Sequence, residues 1–194
     1  MTGGTAALLG RTGFAYLYGL RSYAAAMLWS TIDPVYHEYY ADQPLTEQVQ
    51  LIPTVRIVQL LDPQFEQSYY IAAWMIARRG DVAQGLEVSR TGVENNPASG
   101  LLRASYAQML LTLGHQPKAA LAQADAALSS PDTVWYTDED RCEGIAIFAA
   151  VYDLNGDSAR ADELRALSEA LRDVDPVQQI GGSHDHDGDG VPDH

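Results

Sequence analysis

The chain has 194 residues and a mass of 21.1 kDa, enough for one ordinary domain or a short repeat array, and enough to bury a core without staples. Apolar residues make up 46% and charged residues 20%, which excludes wholesale disorder, and a single cysteine, Cys142, excludes an internal disulfide framework and a cysteine-based zinc site. Twelve basic against twenty-six acidic residues, a net of −14, leave no basic stripe for a nucleic-acid backbone.

The charge is uneven. Residues 1–131 carry ten acids and eight bases, whereas residues 132–194 carry sixteen acids and four bases. The first 32 residues hold Arg11 and Arg21 and no acid. From Thr5 to Trp29 the chain is apolar, but the two arginines divide it and Gly10, Gly13 and Gly19 weaken it. No charge-free window is long enough for a transmembrane span, and Met1-Thr-Gly-Gly lacks the basic start of a signal peptide. A buried helix over Phe14–Trp29 is the plain expectation; the alternative is the flank of a membrane anchor. On a hairpin frame, Tyr16–Tyr40 forms a first helix, bent or broken at Pro34, and Leu45–Leu61 its partner.

Downstream, Pro63, Pro97 and Pro131 stand 34 residues apart, and Gly80 and Gly114 keep the same period. A unit of about 34 residues is two antiparallel helices joined by a tight turn. Ala73, Ile76, Gly85, Gly92 and Pro97 align with Ala107, Leu110, Ala119, Ala126 and Pro131. The small residues let paired helices approach. Gly80-Asp81 and Gly114-His115 supply the turns through a left-handed cap, and each proline closes a helix and starts the next. A third hairpin is carried by Ile145, Ala149, Tyr152, Gly156-Asp157 and Ala161. Its second helix is expected at Ala159–Arg172, ending before Asp175-Pro176, and extra residues lie over Thr133–Asp140.

These positions resemble tetratricopeptide repeat proteins from Leu45 to Pro176. More loosely, Gly19–Trp29 looks like the opening of bacterial repeat proteins with a membrane-proximal N-terminus. Arg103 replaces the aromatic expected early in a first helix, and Ser89 and Gln123 replace bulky apolar residues in second helices. The resemblance implies an all-α solenoid of three to four hairpins over residues 45–176. A helical segment precedes it at 1–44, and a flexible acidic tail follows at 177–194. Such an array binds protein partners along a groove lined by the first helices. On that frame Gln67, Tyr70, Trp74, Leu101, Ala104, Gln108, Leu111 and Glu143 face the groove, with Tyr70 and Trp74 as an aromatic pair that either anchors a partner or packs beneath upstream helices. In the extra segment, Trp135 and Tyr136 form either a contact site or a loop tucked onto the last hairpin.

The tail carries a sharper motif. Asp185, Asp187 and Asp189 alternate, Gly190 follows, and Val191 and Asp193 complete the spacing. In a calcium loop, oxygen ligands come from positions 1, 3, 5, 7 and 9, with glycine at 6 for the turn. The run resembles Asp-rich thrombospondin type 3 and EF-hand-like loops, which implies weak Ca²⁺ binding through Asp185, Asp187, Asp189, the Val191 carbonyl and Asp193, in an extracytoplasmic setting. A solvated acidic tail, or a transition-metal site at His184, His186 and His194, are the alternatives. Enzyme signatures are weak. His37-Glu38 lacks a second histidine, Asp138-Glu139-Asp140 reads as a solvated charge run on a loop, and Cys142 beside Arg141 has no histidine partner in sequence. The expectation is a non-enzymatic interaction scaffold or assembly subunit, without nucleic acid. The alternative is a calcium-binding module whose tail docks to an assembly.

Overall fold

A glycine and the residue after it decide how each hairpin turns. The computed structural model describes residues 17–32 and 51–173, and every regular element there is a helix. These are α1 (residues 17–32), α2 (Leu51–Leu61), α3 (Glu66–Arg78), α4 (Val82–Asn95), α5 (Gly100–Thr112), α6 (Pro117–Ser129), α7 (Asp138–Leu154) and α8 (Ser158–Asp173). Helices pack against their neighbours, so the expected all-α, repeat-like fold is observed. The chain divides into two compact units after Pro97. The helix pieces expected at Phe14–Tyr16, Asp33–Tyr40 and Leu45–Gln50, the expected break at Pro34, and the whole tail lie outside the described residues.

In the first unit, α3 and α4 pair across Arg79–Asp81. Gly80 takes φ 100°. Its N–H donates to Ala77 O at 3.0 Å, while Asp81 N–H donates to Ile76 O at 3.3 Å, the two bonds that satisfy the last carbonyls of a helix ending in a left-handed residue. Asp81 then caps α4, accepting from Gln84 N at 2.9 Å. The same pair of roles recurs at Gly156-Asp157: Gly156 has φ 91°, Asp157 N–H donates to Tyr152 O at 3.0 Å, and the Asp157 carboxylate accepts from Arg160 N at 3.1 Å.

The middle hairpin turns differently. Its positive φ belongs to His115, at 52°, and not to Gly114. Helix α5 ends with Gly114 N–H reaching five residues back to Met109 O at 3.0 Å, and α6 starts one residue late, with Pro117 at its first position and no side-chain cap from Gln116. This one-residue slip moves the contact face of α6. The buried small residues are Ala120, Ala124 and Ala127, which stand 35 residues beyond the buried Gly85, Ser89 and Gly92 of α4. Ala119 and Ala126, expected there on a strict 34-residue period, are half-buried.

The repeating prolines close helices as expected but start none. Pro63 and Pro97 each stand three residues before the next helix, inside a turn. The residue before each proline organises that turn: the Asp62 carboxylate accepts from Gln64 N at 3.0 Å, Asn96 donates to Gly92 O at 3.1 Å, and Ser130 Oγ accepts from Asp132 N at 3.2 Å. These are local side-chain bonds that compete with helix continuation.

Helix α1 is not the buried helix expected. Ala25, Trp29 and Ile32 are buried and join Val55, Val58, Ile71 and Met75 in one core, with Trp29 against Phe65 at 5.3 Å between centroids. Its opposite face carries exposed Leu20, Tyr23 and Met27, and Leu17 is exposed beside it. One stripe per helix is what a single packed neighbour can bury.

Two substitutions test the hairpin geometry. A Cβ at Gly85 would lie 2.7 Å from the Ala73 carbonyl oxygen, which is backbone and cannot rotate away. Gly85→Ala therefore lowers stability by roughly 1–3 kcal/mol, despite a helix-propensity gain of about 1 kcal/mol. His115→Gly removes a left-handed penalty of about 1–2 kcal/mol, offset partly by unfolded-chain entropy, and raises stability by up to about 1 kcal/mol. Urea denaturation of both variants measures these changes.

Candidate interaction surfaces

The residues expected along one groove divide between the two units. In the first, Gln67 is exposed, while Tyr70 and Trp74, one turn apart on α3, are half-buried. Tyr70 packs against the core built by α1, α2 and α3, so part of its ring is already committed inside the unit. In the second unit Leu101, Gln108 and Leu111 are half-buried on α5, Ala104 is buried and Glu143 is exposed. Arg103 and Gln123, the two departures from the repeat pattern in this unit, meet: the guanidinium donates to Gln123 Oε1 at 3.2 Å. Partial burial of Arg103 pulls its pKa down by desolvation. In the first unit the equivalent place holds Tyr69, buried over Gly92 and bonded through its hydroxyl to Asn95 at 2.9 Å.

The extra segment splits its two aromatics. Val134 runs parallel to the start of α5, with its N–H donating to Ala98 O at 2.8 Å and its carbonyl accepting from Gly100 N at 2.9 Å. This pairing drives the indole of Trp135 between α5 and α7. A Cβ at Gly100 would stand 2.5 Å from that ring, and one at Gly144 would stand 2.3 Å away. The ring also meets the buried Phe148 edge-on at 6.3 Å. Trp135 is thus a wedge inside the second unit, whereas the neighbouring Tyr136 is 68% exposed. A glycine within a helix costs about 1 kcal/mol relative to alanine; Gly144 in mid-helix was the sequence signal for this slot. Asp138-Glu139-Asp140, expected on a loop, forms the first turn of α7, capped by Thr137 accepting from Asp140 N at 2.9 Å. There three carboxylates face the positive end of the helix dipole.

Below the Trp135 segment a cleft of about 900 Å³ opens between the end of α6, residues 130–137, the start of α7 and α8. Val134, Tyr136 and Leu167 give it an apolar wall, and Arg141 and Arg160 stand among its polar groups. Arg160 pairs with Glu163 at 2.6 Å. Cys142 is buried beside this region. Its Sγ donates to Ser168 O at 3.2 Å, and Ser168 Oγ donates to Cys142 O at 2.9 Å, so the thiol fastens α7 to α8.

The first unit offers a different surface. Of the eleven exposed large apolar side chains among the described residues, seven lie on α1 and α2, including Leu20, Tyr23, Met27, Ile57 and Leu60. Neither helix carries an acid over its described length, and Arg21 donates across to Leu60 O at 2.6 Å. No described helix is long and apolar enough to cross a membrane. The tail residues Asp185, Asp187, Asp189, Val191 and Asp193, with His184, His186 and His194, lie outside the described residues, as does His37-Glu38. Among the described residues no group of three or more His, Cys, Asp or Glu is placed to hold a metal ion.

A tyrosine–carboxylate bond joins α6 to α7. Tyr152 donates its hydroxyl to the Asp125 carboxylate. Burial first, then the bond and charge of Asp125, push the phenol up to about 12, with Arg160 pulling the other way. A raised folded-state value means that the neutral phenol stabilises the fold. That contribution is complete below the unfolded phenol's pKa of about 10 and is lost as pH rises toward 12. The stability difference between the native chain and Tyr152→Phe should therefore be constant through neutral pH and shrink above about pH 10, as followed by urea denaturation at stepped pH. For the wedge, Gly144→Ala should displace the indole and cost roughly 1–3 kcal/mol, with a shift in Trp135 emission in a chain where Trp29 and Trp74 are replaced by phenylalanine.

No protein-family model matches the chain, and no curated protein matches it.

Proposed function

We propose that the chain is a non-enzymatic protein-interaction scaffold or assembly subunit of the tetratricopeptide-like kind, serving a bacterial envelope complex. The observation that carries this reading is the concentration of exposed apolar side chains on α1 and α2. Seven large ones stand there, on an acid-free part of a chain whose net charge is −14. A concentration of exposed apolar surface marks interaction sites on soluble domains, and helical hairpins present such surfaces rigidly. The same side chains agree with a membrane-proximal setting. Within the first unit, Gln67 and the half-buried Tyr70 and Trp74 of α3 supply a second contact; the second unit, taken by itself, offers Leu101, Gln108 and Tyr136.

Photo-crosslinking residues placed at Leu20, Tyr23 and Met27 in cells test the reading. All three positions should capture the same protein, and a control placed at exposed Glu169 of α8 should not. Equal capture from Glu169, or three unrelated sets of products, would sink it. Leu20→Ser should reduce the capture from Tyr23 at least about tenfold, the size of a lost contact near 1.4 kcal/mol, without changing the helical circular dichroism.

The aspartate spacing of the tail supports a second reading, a calcium module. Asp185, Asp187, Asp189, the Val191 carbonyl and Asp193 would present five oxygens to a hard cation. Calorimetry should then give a Kd of about 10⁻⁴–10⁻³ M for Ca²⁺, abolished in Asp187→Asn/Asp189→Asn. Silence of the intact chain at millimolar Ca²⁺ removes this reading and leaves the scaffold untouched.

A further inference from the structure

We infer that Asn155-Gly156 is a latent deamidation site, shut while the last hairpin is folded and exposed to reaction when the turn between α7 and α8 opens, and that the reaction unfastens α7 from α6. The inference is independent of the scaffold and calcium readings.

The chemistry is that of an asparagine followed by glycine. The backbone nitrogen of the glycine attacks the asparagine Cγ, a C–N bond forms, ammonia leaves, and a five-membered succinimide results. Water then opens the ring to aspartate or isoaspartate. Glycine favours the attack because no Cβ shields its nitrogen and its backbone turns freely. The chain holds three asparagines, and Asn155 alone precedes glycine. Asn95 precedes Asn96, and Asn96 precedes Pro97, whose nitrogen has no hydrogen to give up.

The fold keeps the reacting atoms apart. Asn155 ends α7 with φ −93° and ψ 1°. At that ψ the Gly156 nitrogen eclipses the backbone nitrogen of Asn155, whereas the ring closes only when it eclipses Cβ instead. Rotation about this bond must break two hydrogen bonds of the turn: Gly156 N–H donates to Asp153 O at 3.0 Å, and Asp157 N–H donates to Tyr152 O at 3.0 Å. The side-chain amide is held as well. Asn155 Nδ2 donates to Pro117 O of α6 at 2.9 Å and to Val151 O of α7 at 2.8 Å, so its two protons meet two carbonyls. The turn therefore has to open before the reaction can start, and such local openings cost less than global unfolding.

The product cannot take the place of the amide. A carboxylate only accepts, so it would face the Pro117 and Val151 carbonyl oxygens with no proton to offer. It would also add a negative charge at the C-terminal end of α7, where the helix dipole opposes it, between Asp153 and Asp157 in the chain. Isoaspartate further lengthens the backbone within the turn. Together with the Tyr152–Asp125 bond, Asn155 ties α7 to α6. One covalent event turns that tie into a repulsion, and the modified chain keeps a record of how often its last hairpin has opened.

Peptide mass spectrometry on the full chain, aged at mildly alkaline pH with and without guanidinium chloride above the unfolding midpoint, tests the inference. The amide-to-acid mass gain at residue 155 should appear in denaturant and be at least about tenfold slower in buffer. Asp157→Ala removes the carboxylate that caps α8 by accepting from Arg160 N. It should raise the rate in buffer about fivefold toward the same variant's rate in denaturant, the size of a lost cap. Asn155→Asp should lower the denaturation midpoint more than Asn155→Ala, which loses the two bonds without bringing a charge; circular dichroism checks that each variant is folded. Equal rates in both solvents overturn the gate, and no reaction in denaturant overturns the site. A rate in buffer that Asp157→Ala leaves unchanged overturns the turn as the place of opening. An Asn155→Asp chain no less stable than Asn155→Ala overturns the release of α7 by the product.

Discussion

The structure depends on how closely two helices joined by a three- or four-residue turn must approach. With so short a connection the backbones cannot diverge, so the facing positions have no room for ordinary side chains. At Gly85 a single added carbon would meet the carbonyl of Ala73, and at Gly92 it would meet the ring of Tyr69. In the second unit alanines at 120, 124 and 127 serve the same contact, and in the last hairpin Ala161 and Ser168 are buried likewise. The larger side chains of each hairpin are thereby pushed to other faces, where Ile76, Met109, Leu110 and Phe148 build the cores. Close packing of small residues contributes dispersion contacts along the whole seam, individually slight and collectively large.

That seam also explains why a one-residue change in a turn is tolerated. Where His115 replaces glycine as the left-handed residue, α6 begins one position later and presents its neighbouring alanine row. A run rich in alanine, Ala119–Ala127, offers small residues in more than one register. The slip therefore costs little packing. In α4, where the small positions are two glycines and a serine, the register has no such freedom.

The extra segment before α7 turns a regular repeat into a distinct surface. The parallel pairing of Val134 with Ser99 aims Trp135 inward, and the two glycines at 100 and 144 leave a slot for its indole. Tyr136, the next residue, is left outside over the cleft. One backbone pairing thus separates a structural aromatic from a surface aromatic, and it is the reason this unit carries an apolar cleft at all. The exposed apolar side chains of α1 and α2 have a different origin. Two helices with apolar residues around most of their circumference bury one stripe and leave the other.

The ends of α2 and α3 and the turn from α7 to α8 were legible in the sequence because they rest on local chemistry, whereas the start of α7 at Asp138, expected on a loop, and the late start of α6 at Pro117 were not. Glycine at 80 and 156 permits the left-handed cap, aspartate at 81 and 157 caps the next helix, and the chain after 63, 97 and 131 cannot stay helical through proline. The second helix expected at Ala159–Arg172 is observed at Ser158–Asp173, and Leu61 ends α2 as expected. None of these needs a distant partner. The sequence also marked Trp135-Tyr136 as an aromatic pair and Arg103 and Gln123 as departures from the repeat pattern. Tertiary structure alone decided that Trp135 points inward while Tyr136 points out, that Arg103 and Gln123 satisfy each other, and that α1 buries one face instead of its whole circumference. Those outcomes depend on what stands opposite a side chain across a helix seam. Periodicity sets which residues share a face, but the neighbour that the face meets is chosen by packing in three dimensions.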